Sequence, residues 1–213
     1  MDNREPLGST RIFLPRVSSR RLEPSEVLPG LNARVVDFWQ WAYSDVLENI
    51  QRAFFAEYLV AVALEVTDAR RTGWLGFDLE YRGLKIEVKS SAFLQAWNQR
   101  ELSAPGFGIG PKQQLDADGI AYDGDPRYVA DLFVFCLFAD KDAETANVLD
   151  STRWEFYVVE TPTLRERCHN RKRLSLKDLR AFCAPARHGE VKSIIDSFLP
   201  ATPHFGRLGS PRP

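Results

Sequence analysis

The chain has 213 residues, of which 44% are hydrophobic, and this suffices for one domain with a sizeable core. The 28 basic and 29 acidic residues nearly cancel, so any binding of nucleic acid would depend on local clusters of charge. Apolar runs are too short to span a membrane, and the N-terminus has no apolar segment typical of a secretory signal. Three cysteines without framework spacing favour a reducing compartment, so we expect a cytoplasmic protein with no membrane partner.

The first 43 residues predict an irregular arm followed by a short helix. Residues 1–30 contain four prolines, several arginines and little hydrophobic periodicity, which is typical of an irregular segment. From Asn32, a good N-cap residue, apolar side chains such as Val35 and Phe38 predict a helix. At the other end of the chain, residues 200–213 are rich in Pro, Gly and Arg and predict a flexible tail.

A second helix is predicted from Ser44–Asp45 to about Glu65. Asp45 and Glu48 have the spacing of a capping box, and apolar residues then recur with a helical period. Glu57 lies on this apolar stripe, and burying a carboxylate is unfavourable unless it is paired or bound to a metal. Alternatively, Glu57 lies at the edge of the stripe and reaches solvent, and the pattern leaves both interpretations open.

Residues 77–89 predict a β-hairpin with a tight turn at Arg82–Gly83. The turn sets Leu79 opposite Ile86, and because side chains alternate along a strand, one face of the hairpin is wholly apolar. The other face collects the charged side chains, which are Asp78, Glu80, Lys85, Glu87 and Lys89.

The charged face sets Asp78 directly opposite Glu87. Like charges opposed on a sheet are destabilising by up to about 1 kcal/mol, so the pair indicates a cation between the two carboxylates. A divalent metal is the candidate, with Lys89 one pleat beyond Glu87. Two alternatives stay open: a longer turn would bring Glu80 rather than Asp78 to the site, or the hairpin is a surface element crossed by charge pairs.

The residues after the hairpin predict a helix, a long loop and a pair of strands. Ser90–Ser91 are placed to cap a short helix over residues 92–97. Residues 103–128 are rich in Gly, Pro and Asp and predict a long loop or small insertion. Strands are predicted at 131–138 and 153–160, and further helices at 175–182 and 191–198. The order predicts an α/β sandwich on one mixed sheet.

Residues 163–173 form the most basic segment of the chain. Its cationic side chains could neutralise several phosphates of a nucleic acid, and they are Arg165, Arg167, Arg171, Lys172 and Arg173. A solvated basic loop explains the same charges equally well.

Asp78 followed by Glu87-Val-Lys89 resembles the Asp…(Asp/Glu)-x-Lys signature of the restriction-endonuclease-like PD-(D/E)XK phosphodiesterase superfamily. The resemblance covers roughly residues 45–160. The motif is short, and its agreement with the predicted strand pairing and element order is what makes it specific. The chain has Phe77 where the fullest form of the motif has proline, a departure shared by many members of the superfamily.

The predicted elements around the motif also resemble that superfamily. Its members place a helix with a glutamate before the hairpin, a helix after the lysine, and a further strand that completes the core. Glu57 and residues 131–138 have these places here. The resemblance therefore implies a nuclease-like domain at 44–199, with a central mixed β-sheet flanked by helices in the order αβββαβ.

The resemblance also implies roles for individual residues. Asp78 and Glu87 would bind Mg²⁺, or Mn²⁺ as a substitute, together with the backbone carbonyl of Val88. Glu57 would assist directly or through a water molecule, and Lys89 would orient the attacking water and stabilise the phosphate. The expected activity is metal-dependent nuclease cleavage, with DNA as substrate and a homodimer for two-strand cleavage. The alternatives are a non-catalytic nucleic-acid-binding or regulatory module on the same fold, and a protein-interaction domain.

Overall fold

The computed structural model describes residues 20–68, 71, 75–115, 122–169 and 171–200. The chain divides into two compact units, Met1–Trp41 and Ala42–Pro213. Most of the predicted N-terminal arm and the predicted tail beyond Pro200 lie outside the described residues.

The described elements comprise five α-helices and eight strands. The helices are α1 (Val35–Tyr43), α2 (Asn49–Leu64), α3 (Thr161–Cys168), α4 (Leu176–Arg180) and α5 (Val191–Asp196). The strands are β1 (Leu79–Tyr81), β2 (Leu84–Ala92), β3 (Gly106–Gly108), β4 (Lys112–Leu115), β5 (Tyr122–Arg127), β6 (Leu132–Phe138), β7 (Trp154–Glu160) and β8 (Arg173–Ser175).

A four-stranded mixed sheet in the order β1-β2-β6-β7 forms the centre of the larger unit. Strands β2 and β6 run parallel, whereas β1 and β7 are antiparallel to their neighbours. Every residue of β6 is buried, which explains why its sequence is an uninterrupted apolar run. The prediction of a mixed α/β fold with a central strand at 131–138 is therefore confirmed.

Helices cover both faces of this sheet because alternate residues of β6 point to opposite sides. On one face, Val134 belongs to a core shared with Leu59 of α2 and with α5. On the other face, Phe135 belongs to a second core with Leu164 of α3 and with α4. The result is a layered α/β arrangement with an apolar core on each side of the sheet.

The β1–β2 hairpin has the predicted register, with Leu79 paired to Ile86. Arg82 and Gly83 form the turn with φ angles of 49° and 85°. Positive φ at both turn positions is characteristic of the two-residue turns whose twist matches that of a hairpin. Regular pairing ends at Leu79, so Asp78 lies just beyond the last paired residue of β1.

The start of α2 differs from the prediction. The helix begins at Asn49 rather than at Ser44–Asp45, and the side chain of Glu48 makes no capping hydrogen bond. The carboxylate of Asp45 instead accepts a hydrogen bond from the N–H of Leu47, at 3.2 Å, and closes a short turn. The proposed capping box is therefore wrong, because Asp45 satisfies a local turn outside the helix.

The helix predicted after Ser90–Ser91 is also wrong, because β2 continues to Ala92. Its parallel pairing with β6 extends through Ala92 and Phe138. Seven consecutive residue pairs with a fully buried strand outweigh the local capping signal of two serines. No helix is present in the described part of 93–131.

The connection between β2 and β6, predicted as a long loop or small insertion, carries short strands of its own. It contains β3, which pairs with β8, and the hairpin formed by β4 and β5. This β4–β5 hairpin begins at Lys112, whose Cα partner is Arg127.

The described helices include none that is both long and apolar enough to cross a membrane. Cys136 and Cys168 are buried, Cys183 is partly buried, and all three are free thiols.

Candidate active site

Three acidic side chains from three elements come together beside the β1–β2 hairpin. Glu57 lies on α2, Asp78 immediately precedes β1, and Glu87 lies within β2. Burial, followed by the negative charges of Glu87 and Glu57, raises the pKa of Asp78 from its ordinary value of 3.8 to about 6. Glu57 and Asp78 line the same pocket, and Asp78 contacts the backbone of Val88, the residue next to Glu87, so the predicted acids form one cluster.

Backbone contacts fix the orientation of Asp78. Its N–H donates to the carbonyl of Ile86 at 2.9 Å, and its Oδ2 accepts from the N–H of Val88 at 2.8 Å. The side chain thus takes the place of a ladder partner just where regular pairing ends. Glu80, the alternative acid, is exposed and pairs across the ladder with Lys85, so the two-residue turn selects Asp78.

Glu87 is the most buried member of the acid cluster, with 2% of its surface exposed. Its Oε1 forms ion pairs with the ammonium groups of Lys89 and Lys112. Its Oε2 is buried and has no hydrogen-bond partner among the described residues. A buried carboxylate oxygen without a partner is costly, and a bound cation would relieve that cost.

Glu57 is also buried, with 7% exposure, and is not the solvent-facing residue of the second interpretation. The guanidinium of Arg71 binds it with two hydrogen bonds, Nε to Oε2 at 2.5 Å and Nη2 to Oε1 at 2.9 Å. The same guanidinium lies 4.3 Å from the centre of the Phe54 ring. The carboxylate on the apolar stripe is therefore tolerated because it is paired.

The donor atoms of the cluster fit a hard divalent cation. Asp78 and Glu87 offer carboxylate oxygens, the ligands that Mg²⁺ and Mn²⁺ prefer, and one of these oxygens is the unpartnered Oε2. Within the described ranges, however, no three His, Cys, Asp or Glu side chains already stand together as a ligand set. The cations of Arg71 and Lys112 hold two of the acids instead.

Lys112 is a site residue that the sequence analysis missed. It lies on β4, 25 residues from Glu87, in a segment predicted as a long loop or small insertion without site residues. Burial lowers its pKa, but the hydrogen bond to Glu87 and the charges of Glu87 and Asp78 outweigh burial and raise it. Lys112 therefore adds a second ammonium group next to Lys89.

A basic groove of about 860 Å³ lies next to the acid cluster. Arg165, Arg171 and Lys172 line it, and all five basic residues predicted to bind nucleic acid, which include Arg167 and Arg173, are exposed. Arg127 and Tyr128 line this groove and also the narrow cleft that contains Glu87, Lys89 and Lys112. The groove and the acid cluster therefore share a wall.

An apolar pocket of about 360 Å³ adjoins the cluster at another point. Glu57 and Asp78 are part of its wall, together with the rings of Phe54, Tyr58 and Phe77. The acids thus lie in surroundings of low polarity, which is consistent with the raised pKa of Asp78.

No protein-family model matches the chain, and no curated protein matches it significantly. The chemistry of the site therefore follows from its own residues. The four side chains that the sequence predicted to meet do lie close to one another, and they are Glu57, Asp78, Glu87 and Lys89. The structure adds two cations that the sequence analysis did not name, Arg71 and Lys112.

Proposed function

We propose that this protein is a metal-dependent nuclease with a restriction-endonuclease-like PD-(D/E)XK core, which hydrolyses phosphodiester bonds in nucleic acid, with DNA as the expected substrate. The observation that carries the proposal is the state of Glu87. It is a buried carboxylate with one unpartnered oxygen, next to Asp78 and the ammonium of Lys89. Acids grouped in this way reduce stability, and a role in binding a metal explains them.

The order and pairing of the elements support the proposed core. A helix with the buried Glu57 precedes the hairpin, and β6 lies parallel to the strand that bears Glu87 and Lys89. The chain departs from the superfamily after the lysine, where β2 continues and short strands replace the expected helix. This departure alters the connection between the parallel strands β2 and β6 and leaves the three acids in place.

The proposed metal ligands are Asp78, Glu87 and the backbone carbonyl of Val88, with Glu57 acting through a water molecule. When bound, Mg²⁺ or Mn²⁺ lowers the pKa of water and neutralises negative charge on the phosphate.

The side chains of the protein have separate roles in the proposed reaction. Lys89 is mostly buried and held by Glu87, so its ammonium is positioned to orient the attacking water and to stabilise charge on the phosphate oxygens. Glu57, held by Arg71, is positioned to accept a hydrogen bond from water near the phosphate. Arg165 and Lys172 in the basic groove would hold the sugar–phosphate backbone next to the cut bond.

A cleavage assay on plasmid DNA, single-stranded DNA and RNA tests the proposal. The full chain should cut at least one substrate with Mg²⁺ or Mn²⁺ and none with EDTA, and Lys89→Met should lose the activity. Lys85→Met is the matched control, because Lys85 lies exposed on the same strand and pairs with Glu80. Cleavage that persists both in EDTA and in Lys89→Met would refute the mechanism.

One observation favours a second candidate, a non-catalytic nucleic-acid-binding module on the same fold. Arg71 and Lys112 already neutralise Glu57 and Glu87, and this arrangement needs no metal. Binding of DNA that is unchanged by EDTA, without cleavage of any substrate, would establish this candidate. Sedimentation of the full chain with and without DNA would test the expected homodimer.

A further inference from the structure

Two lysines contact the same oxygen of Glu87, although one would neutralise it. Lys89 comes from the same strand, two residues away, and Lys112 comes from the β4–β5 hairpin. Both ammonium groups donate a hydrogen bond to Oε1 of Glu87, while its Oε2 has no hydrogen-bond partner among the described residues. The proposed catalytic roles use Lys89 and leave Lys112 without a function.

The ammonium of Lys112 lies beside the position expected for a metal ion, on the other oxygen of the same carboxylate. Its ammonium contacts Glu87 and is close enough to Asp78 to interact with its charge, and these are the two proposed metal ligands. A divalent ion bound to both acids would repel an ammonium group on the same carboxylate. Lys112 and the metal therefore compete for Glu87.

Lys112 is less enclosed at Glu87 than Lys89 is. The side chain of Lys112 is 47% exposed and that of Lys89 is 22% exposed. Lys112 also lines the narrow cleft together with Arg127, its partner across the hairpin, and Arg127 lines the basic groove. A displaced Lys112 would thus remain beside the path that we propose for the phosphate backbone.

We propose that Lys112 is an internal counterion of the active site, which neutralises Glu87 in the metal-free protein and is displaced by the metal towards a phosphate of the substrate. The proposal rests on the proposed nuclease function. It assigns to the β4–β5 hairpin a second active-site lysine whose contacts depend on whether metal is bound. It also explains how a carboxylate as buried as Glu87 is tolerated before the metal arrives.

Calorimetric titration of the full chain with Mn²⁺ alone, without nucleic acid, tests the competition. Lys112→Met should bind Mn²⁺ roughly 3- to 10-fold more tightly than the wild type, because the metal no longer displaces a partly exposed cation. Lys177→Met is the matched control, since it removes an exposed lysine of α4 that is not among the residues lining the groove or the cleft, and it should leave Mn²⁺ affinity unchanged. Unchanged or weaker Mn²⁺ binding by Lys112→Met would overturn the proposal.

A double-mutant cycle separates this proposal from the nuclease proposal. Denaturant midpoints are measured in EDTA for the wild type, Lys112→Met, Glu87→Gln and the double variant. Lys112→Met should lower the midpoint in the wild type and have little effect once Glu87 is uncharged. Mn²⁺ binding without this coupling would overturn the role of Lys112 alone. If neither the wild type nor Lys112→Met binds Mn²⁺, the nuclease proposal fails, and metal displacement fails with it.

Discussion

The acid cluster and the basic groove adjoin each other, but the acidic side chains of the cluster are largely buried whereas the basic side chains of the groove are exposed. In the cluster, Glu57 and Glu87 are buried, and each carboxylate is paired with at least one cation. In the groove, Arg165 and Lys172 are exposed, and Arg171 pairs with the exposed Asp178. Buried charges interact strongly with their partners and with one another, whereas exposed charges are screened by water and salt. Substitutions in the cluster should therefore have large effects that depend on one another. Substitutions in the groove should have small effects that depend on the salt concentration.

The largest expected effect is the loss of cleavage in Glu87→Gln. This variant keeps the shape of the side chain but removes the charge that would hold the metal, and we expect cleavage to fall by roughly 10³-fold or more. Affinity for DNA should change little, because the groove is intact. Single-turnover cleavage and fluorescence anisotropy with the same oligonucleotide measure the two properties. If cleavage and binding fell together, the cluster and the groove would not have separate roles.

The next effect is on stability, through the pair formed by Arg71 and Glu57. Arg71→Met removes both hydrogen bonds from a buried carboxylate, and we expect the free energy of unfolding in EDTA to fall by about 2–3 kcal/mol. The matched control is Arg171→Met, which breaks an exposed pair with Asp178 and should cost less than about 1 kcal/mol. Urea denaturation measures both. Equal losses in the two variants would contradict the contrast between buried and exposed charges.

The raised pKa of Asp78 predicts a variant that is more stable than the wild type. Between pH 3.8 and about 6 the folded protein keeps a proton that the unfolded chain has released, so stability falls as pH rises through this range. Asp78→Asn removes this penalty and retains an acceptor for the N–H of Val88. In EDTA at pH 8 we expect the variant to be roughly 1–2 kcal/mol more stable than the wild type. The gain is smaller than the full shift in pKa implies, because the folded chain relaxes partly around the charge.

Thermal and urea unfolding across pH 4–8 check this prediction. The advantage of Asp78→Asn should vanish near pH 4, where the wild-type carboxyl is protonated in the folded state. A variant that is less stable than the wild type at pH 8 would show that Asp78 contributes more through its contacts than it costs through its charge.

The smallest effects are expected in the basic groove. Lys172→Gln should weaken binding of DNA by roughly 2- to 5-fold and reduce the slope of log affinity against log salt by about one. Lys177→Gln, which changes an exposed lysine of α4 outside the groove-lining residues named above, is the control and should alter neither quantity. Anisotropy titrations at several salt concentrations measure both. A change in cleavage rate at saturating DNA would mean that Lys172 acts on the chemical step.

Local patterns in the sequence predicted the hairpin and the acids on it. Alternation of apolar and charged residues, with a turn at Arg82–Gly83, was enough to set the pairing of Leu79 with Ile86. That pairing decides that Asp78, not Glu80, lies beside Glu87. The run of β-formers at 131–138 was likewise enough to predict a buried central strand. These features depend on residues close in sequence, so their pattern can be read without the fold.

The helix predicted at 92–97 shows where local patterns fail. Two serines indicate a helix start, but the neighbouring strand β6 keeps residues up to Ala92 in the sheet. The start of α2 was misplaced for a related reason, since Asp45 can close a turn as readily as it can cap a helix. In both places the local signal fits two structures, and contacts elsewhere select one.

The sequence by itself determined that acidic side chains would meet beside a hairpin, next to a strand buried on both faces. Only the tertiary structure decided which cations neutralise them. Arg71 reaches Glu57 from 14 residues away, and Lys112 reaches Glu87 from a hairpin that its composition did not predict. Such pairs carry no periodic signal, because they join residues of different elements that only long-range packing brings together. The burial that raises the pKa of Asp78 arises from the same packing.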